Sequence, residues 1–168
     1  MTLGYLLHNI QKQSAESGVP ISDYLYLISE ALSLSNPQLH INRDLIIPET
    51  VLEMLVMQFV RLEKHEPPQY ICGKAYFYGH AYMVTPQVLI PRPETEGLVE
   101  LAIKHLQSNM QILDIGTGSG AIAITLKLQR PDLAVFATDY SGEALEVARH
   151  NAAELKAEIE FIIADLYP

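Results

Sequence analysis

Residues 113–120, LDIGTGSG, place one carboxylate beside a run of glycine residues. The chemistry-bearing positions of this segment are Asp114, Gly116, Thr117, Gly118, Ser119 and Gly120. Because glycine has no Cβ, such a segment turns sharply and lets a ligand lie against its main chain. The segment therefore predicts a ligand-binding loop between a strand and a helix.

Three acids, Asp114, Asp139 and Asp165, each end a predicted strand. The carboxyl ends of parallel strands meet at one edge of a sheet, where open sheets bind their ligands. Carboxylates at that edge repel a pyrophosphate and attract a cation. S-adenosylmethionine (SAM) carries an ammonium and a sulfonium group and fits this requirement. Asp139 lies near the spacing at which an acid reaches ribose hydroxyls, and Asp165 would then approach the adenine edge.

The residues alone leave two other interpretations of the loop open. Its pattern, G-T-G-S-G, departs from the G-x-G-x-x-G of dinucleotide sites, although an NAD-type site is one alternative. The second alternative is a glycine turn that binds no ligand. Ser119 is not a candidate nucleophile, because G-x-S-x-G does not surround it.

The segments around the loop predict an α/β fold with a parallel, Rossmann-like sheet. Strand-like runs alternate with helical segments at residues 120–129 and 141–155; the runs are QILDI (111–115), LAVFATD (133–139) and IEFIIAD (159–165). This alternation indicates right-handed crossovers. We expect residues 93–168 to form the first part of a SAM-binding domain.

The first 66 residues predict a small helical domain. Apolar residues recur at helical spacing over residues 3–14, in a second helix with Ser22 as its N-cap, and over about residues 50–64. Residues 36–44 are predicted to be a connector.

Residues 67–92 are expected to be a linker and a β-hairpin. Two successive prolines in HEPPQY (65–70) cannot continue a helix, and AYFYGHAYMV (75–84) has two aromatic runs around Gly79-His80. A further helix is predicted from Pro93 to about Leu106.

Composition excludes several classes of protein. The chain of 168 residues has a formal net charge of -9, and both halves are acidic, which disfavours direct binding to nucleic-acid phosphates. No apolar run reaches the ~18 residues of a membrane span, and the N-terminus lacks the features of a signal peptide. We therefore expect a cytoplasmic location and no membrane partner.

The remaining reactive side chains predict no further site. Cys72 is the only cysteine, so an internal disulfide is impossible, and we expect a buried structural thiol. The six histidines lack metal-ligand spacing, so no metal is predicted. Arg92 and Glu94 in RPETE either brace the following helix or belong to a site.

Two long segments resemble the release-factor glutamine methyltransferases, the PrmC/HemK family. They are VLIPRPETEGLVE (88–100) and ILDIGTGSGAIAI (112–124). The resemblance begins at EPPQYICGKAYFYG (66–79) and extends to the last residue, with ATDYSGEAL (137–145) and ADL (164–166) as further matching motifs. The helical N-terminal part matches mainly in length and pattern.

The resemblance implies a class I SAM-dependent methyltransferase domain, preceded by a helical domain that helps to grip a release factor. It assigns residues 114–120 to the SAM loop, Asp139 to the ribose, and Asp165 and Leu166 to adenine. The implied reaction transfers the SAM methyl group to the glutamine side chain of the Gly-Gly-Gln motif in peptide-chain release factors, with S-adenosylhomocysteine (SAH) as product.

The chain departs from the family in one respect. The family's Asn-Pro-Pro-Tyr motif, which binds the substrate amide, is absent from the 168 residues, so no catalytic residue is assigned. Our hypothesis is an inactive N-terminal fragment of a longer enzyme, which associates through the free edge of its partial sheet. The alternatives are an amino-methyltransferase acting on nucleic-acid bases and a non-catalytic module that binds SAM or docks onto proteins.

Overall fold

The computed structural model describes residues 1–166, which divide into two compact units. The first unit comprises Met1–Cys72, and the second begins at Gly73. Each unit has a hydrophobic core of its own, and each is described separately.

The first unit is helical. Its helices are α1 (Leu3–Ser17), α2 (Ile21–Leu32), α3 (Asn36–Ile41), α4 (Glu49–Leu62) and α5 (Pro68–Cys72). The predicted apolar face of α1 is buried, with Leu3 and Ile10 completely inaccessible to solvent. Leu55, Phe59 and Leu62 of α4 are buried in the same core, so the helical pattern of this part was predicted correctly from the sequence.

Two local predictions in this unit are wrong. Ser22 is not an N-cap, because α2 already begins at Ile21 after Pro20, and the Ser22 hydroxyl donates to Asp23 instead. Residues 36–44 are not simply a connector, because α3 occupies most of them. The side chain of Gln38 accepts a hydrogen bond from the Ser35 N–H at 2.8 Å, which is one half of a capping box that starts this helix.

The first unit extends beyond the boundary expected at residue 66. The helix α4 already ends at Leu62, before the two prolines, and the second proline, Pro68, starts α5. Pro68 and Ile71 are buried, and Ile71 belongs to the core of the first unit. Cys72 packs against this core and is only partly buried, rather than fully buried as expected.

The second unit combines a hairpin with an α/β layer. The hairpin strands are β1 (Lys74–Phe77) and β2 (His80–Met83), and they are followed by α6 (Pro93–His105), β3 (Gln111–Ile115), α7 (Ala121–Gln129), β4 (Ala134–Asp139), α8 (Gly142–Leu155) and β5 (Glu160–Ile163). The hairpin turn is Tyr78-Gly79, one residue earlier than predicted. Both residues have a positive φ, 50° and 78°, which is the backbone of a tight two-residue turn.

Strands β3, β4 and β5 form a parallel sheet in that order, which confirms the predicted α/β fold. One face of the sheet packs against α7, where Val135 and Ala137 surround Ala123. Leu113 and Ile115 of β3 belong to the opposite face and remain 37% and 41% exposed. Among the described residues, β3 is paired on one side only.

Candidate functional site

The glycine loop connects the end of β3 to the start of α7. The backbone N–H groups of Gly116 and Thr117 both donate to the Thr138 carbonyl at 2.9 Å, which anchors the loop to the end of β4. The Gly120 N–H donates to the Thr117 carbonyl, so the loop closes on itself before the helix begins. The predicted loop thus lies at the carboxyl edge of the sheet, where open parallel sheets bind ligands.

The three loop glycines serve two different purposes. Gly116, Gly118 and Gly120 all have a positive φ, of 72°, 56° and 81°. A Cβ added at Gly116 or Gly118 would meet no atom within 4 Å, so there is open space above these residues. A Cβ at Gly120 would lie 2.8 Å from Cδ1 of Ile124, so this glycine allows close packing between the loop and the helix.

Asp114 is already bonded within the protein. It is the fourth residue of β3, one residue before the strand ends, rather than its last residue. Its carboxylate accepts a hydrogen bond from the Thr117 hydroxyl at 2.8 Å and another from the backbone of Ala123 in the first turn of α7. Burial raises the pKa of Asp114 and the charge of Asp139 raises it further, whereas these two hydrogen bonds lower it. Together these effects raise the pKa of Asp114 above its ordinary value of 3.8.

Asp139 is the last residue of β4 and holds the loop in place. Its Oδ2 accepts a hydrogen bond from the Gly118 N–H at 2.9 Å, and its Oδ1 accepts one from the Ser141 N–H at 2.9 Å. One carboxylate therefore joins the glycine loop to the start of α8. The next residue in the chain, Tyr140, is 80% exposed.

Asp165 and Leu166 lie just beyond β5 and are exposed. The Ala164 N–H donates to the Asp139 carbonyl at 3.1 Å, and the Thr138 hydroxyl donates to the Leu166 carbonyl at 3.4 Å. These contacts bring the segment after β5 to the edge occupied by the glycine loop and Asp139. The geometry agrees with the predicted grouping, while the ligand contacts of these residues stay predictions.

A pocket of about 180 Å³ lies over the glycine loop. One wall is formed by Gly116–Ser119 together with the start of α7, and the other by Phe77, Leu89–Arg92 and Thr95. Arg92 precedes the first residue of α6 and makes no side-chain cap hydrogen bond there. Of the two interpretations of Arg92 offered by the sequence, its position in the pocket wall favours a site role.

Glu96 in the same motif has a structural role. Its carboxylate accepts a hydrogen bond from the Tyr78 N–H at 2.7 Å, which ties α6 to the hairpin turn. A second hydrogen bond ties the hairpin to a helix: the Tyr82 hydroxyl lies 2.8 Å from the Thr125 hydroxyl on α7. Burial raises the pKa of Tyr82 to about 12. The RPETE motif thus contains a residue that lines the pocket, Arg92, and one that holds α6 to the hairpin, Glu96.

A larger cavity of about 770 Å³ lies elsewhere, around Ala134 and Glu158. These residues mark the amino ends of β4 and β5. Ligands of an open parallel sheet bind beyond the carboxyl ends of its strands, and the glycine loop does not line this cavity. We therefore assign the site to the smaller pocket.

Sequence reasoning did not single out Thr95 or Tyr140. Thr95 and Arg92 both line the pocket. Thr95 follows Arg92 by three residues, almost one helical turn, and this spacing could have indicated from the sequence that both face the same side. Tyr140 directly follows the candidate ribose acid, and its position before a predicted helix indicated that its ring would be exposed.

Within residues 1–166, no group of three or more His, Cys, Asp or Glu side chains is arranged to hold a metal ion. In the same residues, no helix has the length and apolar character needed to cross a membrane.

Comparison with known proteins defines the class of this chain. Residues 97–168 match the family model of the methyltransferase small domain, and residues 6–73 match that of the PrmC N-terminal domain. The fold and the glycine loop therefore belong to a methyltransferase domain. A segment that matches the PrmC N-terminal domain precedes it, so the two parts of the chain are similar, in this order, to that domain and to a methyltransferase domain.

Several curated relatives carry the name release factor glutamine methyltransferase. The release factor glutamine methyltransferase of Neisseria gonorrhoeae is 55% identical over 96 residues, which are 57% of this chain and 35% of that protein. The release factor glutamine methyltransferase of Enterococcus faecalis is 42% identical over 139 residues, 82% of this chain and 50% of that protein. The chain thus spans about half or less of the length of these curated relatives.

Among solved structures, the tRNA (uracil-54, C5)-methyltransferase of Pyrococcus abyssi, crystallised with SAH, aligns with a TM-score of 0.47 at 21% identity. The alignment covers 55% of this chain and 23% of that one. A likeness of this size carries no weight for the substrate.

Proposed function

We propose that this chain forms the cofactor-binding part of a SAM-dependent methyltransferase that acts on peptide-chain release factors. The observation that carries the proposal is the Gly116–Gly120 loop, clamped by Asp139 and facing Arg92 across a pocket. The names of the similar proteins support the release factor as substrate. Because the chain covers about half of those proteins, both activity and substrate are proposals for the whole protein.

The residues of the pocket fit one end of SAM. Its volume of about 180 Å³ is below the ~300 Å³ of sites that enclose a whole drug-sized ligand. We place the methionine end here, where the Arg92 guanidinium pairs with the carboxylate and the Thr95 hydroxyl bonds to it. The open space above Gly116 and Gly118 lets this part lie against the main chain.

The nucleoside end of SAM fits the exposed edge next to the pocket. The Asp139 carboxylate accepts hydrogen bonds from the ribose hydroxyls and shares Oδ2 with the Gly118 N–H, since a carboxylate oxygen accepts more than one hydrogen bond. Adenine then lies between Tyr140 and Leu166, which are both exposed. Asp165 accepts a hydrogen bond from the exocyclic amine of adenine.

Charge distinguishes SAM from a dinucleotide at this site. The Asp139 charge acts on Asp114, so the two acids create a negative potential around the loop. Bound SAM supplies an electrophilic methyl group on a cationic sulfur, which this potential favours. A pyrophosphate would meet repulsion from the same two carboxylates.

The proposed acceptor is the side-chain amide of the glutamine in Gly-Gly-Gln. An amide nitrogen is a poor nucleophile, because its lone pair is delocalised into the carbonyl. Catalysis therefore requires positioning of the methyl group and acceptors for the amide protons. The residues of this chain hold the methyl donor, and we assign none of them to the acceptor. We propose that the helical unit Met1–Cys72 helps to dock the release factor, and that the protein works in the cytoplasm, where release factors act.

Transfer of a labelled methyl group tests this function. The full-length gene product is incubated with labelled SAM and a release factor, and label is measured in wild-type factor and in factor with the acceptor glutamine changed to alanine. Label in the wild-type factor alone supports the proposal. Label that persists in the altered factor contradicts the glutamine assignment, and the absence of label in both contradicts the activity.

A further inference from the structure

Asn151 on α8 is a buried polar residue that contacts two distant segments of the second unit. It is 2% exposed. Its Oδ1 accepts a hydrogen bond from the Met83 N–H at 2.7 Å, and its Nδ2 donates to the Met83 carbonyl at 3.0 Å and to the Ser119 carbonyl at 2.9 Å. Both amide hydrogens are therefore used. The opposite orientation of the amide would place NH₂ against an N–H, so the contacts define the orientation.

The two segments that Asn151 joins carry the two walls of the pocket. Ser119 belongs to the glycine loop, and Met83 ends β2, just before the residues that lead to Leu89–Arg92. The Tyr82 hydroxyl also ties the hairpin to α7, through the Thr125 hydroxyl at 2.8 Å and the Ala121 carbonyl at 3.4 Å, but it does not reach the glycine loop. Of these hairpin contacts, only that of Asn151 includes a carbonyl of the glycine loop, that of Ser119, which is one of the residues that line the pocket.

We propose that Asn151 is a positioning residue for the ligand pocket. By holding the Ser119 carbonyl and both backbone groups of Met83, it sets the orientation of the Ser119-Gly120 peptide and the separation between the loop and the opposite wall. The inference rests on the proposed function for the identity of the ligand, SAM. Its structural part, a loop carbonyl held by the Asn151 amide, does not depend on that identity.

The chemistry of an amide is what this position requires. A leucine has a similar size but would leave the Ser119 and Met83 carbonyls and the Met83 N–H without this partner, so the Ser119-Gly120 peptide would keep only the hydrogen bond from the Gly120 N–H to the Thr117 carbonyl. An aspartate would place a carboxylate oxygen against two carbonyl oxygens. Asparagine alone provides one acceptor and two donors at this distance from the helix.

The test compares Asn151→Leu with Tyr82→Phe in the full-length protein. Tyr82→Phe is the matched control, because it also removes a buried contact between the hairpin and a helix but leaves the Ser119 carbonyl bonded. We expect SAH to bind about tenfold or more weakly to Asn151→Leu and within about threefold of wild type to Tyr82→Phe, as measured by calorimetry. Equal affinities in the two variants, at equal melting temperatures, would show a role in stability alone and would overturn the proposal.

Amide hydrogen exchange separates the inference from the proposed function. If wild-type protein does not bind SAH, the cofactor assignment fails. Exchange at residues 117–120 without ligand still tests the brace: we expect faster exchange in Asn151→Leu than in Tyr82→Phe, and equal rates would overturn it.

A measurement on the wild-type protein tests the proposal even if Asn151→Leu does not fold. In wild-type protein, the side-chain NH₂ protons of Asn151 should exchange far more slowly in NMR spectra than those of the exposed Asn109, and they should shift when SAH is added. Exchange as fast as that of Asn109, or NMR signals of Asn151 that SAH leaves unchanged while other loop signals move, would overturn the proposal.

Discussion

The Asp139 carboxylate and the Gly118 N–H form a hydrogen bond of 2.9 Å across 21 residues of sequence. The acid expected to bind ribose therefore also keeps the glycine loop in its shape. A ligand that binds Asp139 finds the loop already formed, so little ordering is required when it binds.

Substitution of Asp139 should weaken SAM binding. We expect Asp139→Ala to lose roughly 1.5 to 3 kcal/mol of binding free energy, because a charge-assisted contact with the ribose and the clamp on Gly118 disappear together. Calorimetry on a protein long enough to bind SAM measures this loss. Glu143→Gln, an exposed change in the first turn of α8, is the control and should leave the affinity unchanged. Unchanged affinity in Asp139→Ala would contradict the ribose role.

Arg92 should recognise the carboxylate end of the ligand. We expect Arg92→Gln to weaken SAM binding about tenfold or more, because a charge-assisted hydrogen bond contributes ~1.5 to 3 kcal/mol. Glu94→Gln, an exposed change two residues away in the same motif, is the matched control. A ligand without the methionine part, 5′-methylthioadenosine, should bind wild type and Arg92→Gln equally. If Arg92→Gln weakens both ligands alike, the guanidinium does not contact the carboxylate.

Asp114 should make stability depend on pH in a particular direction. Its pKa in the folded protein is raised above 3.8, so the folded state holds the proton more tightly than the unfolded state does. Stability then falls as the pH rises from 3.8 through the raised pKa, and at neutral pH the ionised Asp114 lowers the free energy of unfolding. We expect Asp114→Asn to melt at a higher temperature than wild type at neutral pH, with the difference shrinking toward about pH 4. A melting temperature lower than that of wild type at neutral pH would contradict this account.

Two substitutions in the glycine loop should differ in their effects on stability and on ligand binding. Gly120→Ala introduces a Cβ at 2.8 Å from Ile124 and 3.2 Å from Ala148, at a φ of 81°, so we expect a loss of about 1 to 3 kcal/mol in the free energy of unfolding. Gly118→Ala enters open space and should lose only about 1 to 2 kcal/mol from its positive φ, while its methyl group takes up room needed by the ligand. Urea unfolding measures the loss of stability in both variants, and calorimetry measures their affinity for the ligand. Equal binding by Gly118→Ala and wild type would show that no ligand lies over Gly118.

The 168-residue chain should self-associate. Strand β3 has one neighbouring strand among the described residues, and Leu113 and Ile115 are exposed on the uncovered face of the sheet. Such an edge pairs with other chains. We expect light scattering to show species larger than a monomer as concentration rises, and Leu113→Lys to reduce them. A monomer at high concentration would contradict the expectation.

Much of the fold follows from local sequence. The helical faces of α1 and α4, the parallel strand–helix alternation after residue 111 and the turn at the glycine loop depend on residue spacing and on φ preferences within a few positions. The connector at residues 36–44 was predicted incorrectly, because a short helix without a long apolar stripe depends on its capping side chain, Gln38, and on one buried residue, Leu39.

The candidate site could also be predicted from the sequence only in part. The sequence by itself determined which residues form the loop and which acids lie near it, because glycine runs and strand ends are local features. Only the tertiary structure decided that Asp139 bonds Gly118, that Arg92 lines the opposite wall and that Asn151 holds Ser119 and Met83. These contacts join residues 21 to 68 positions apart, and they depend on how the hairpin, the loop and α8 pack together, which no short stretch of sequence encodes.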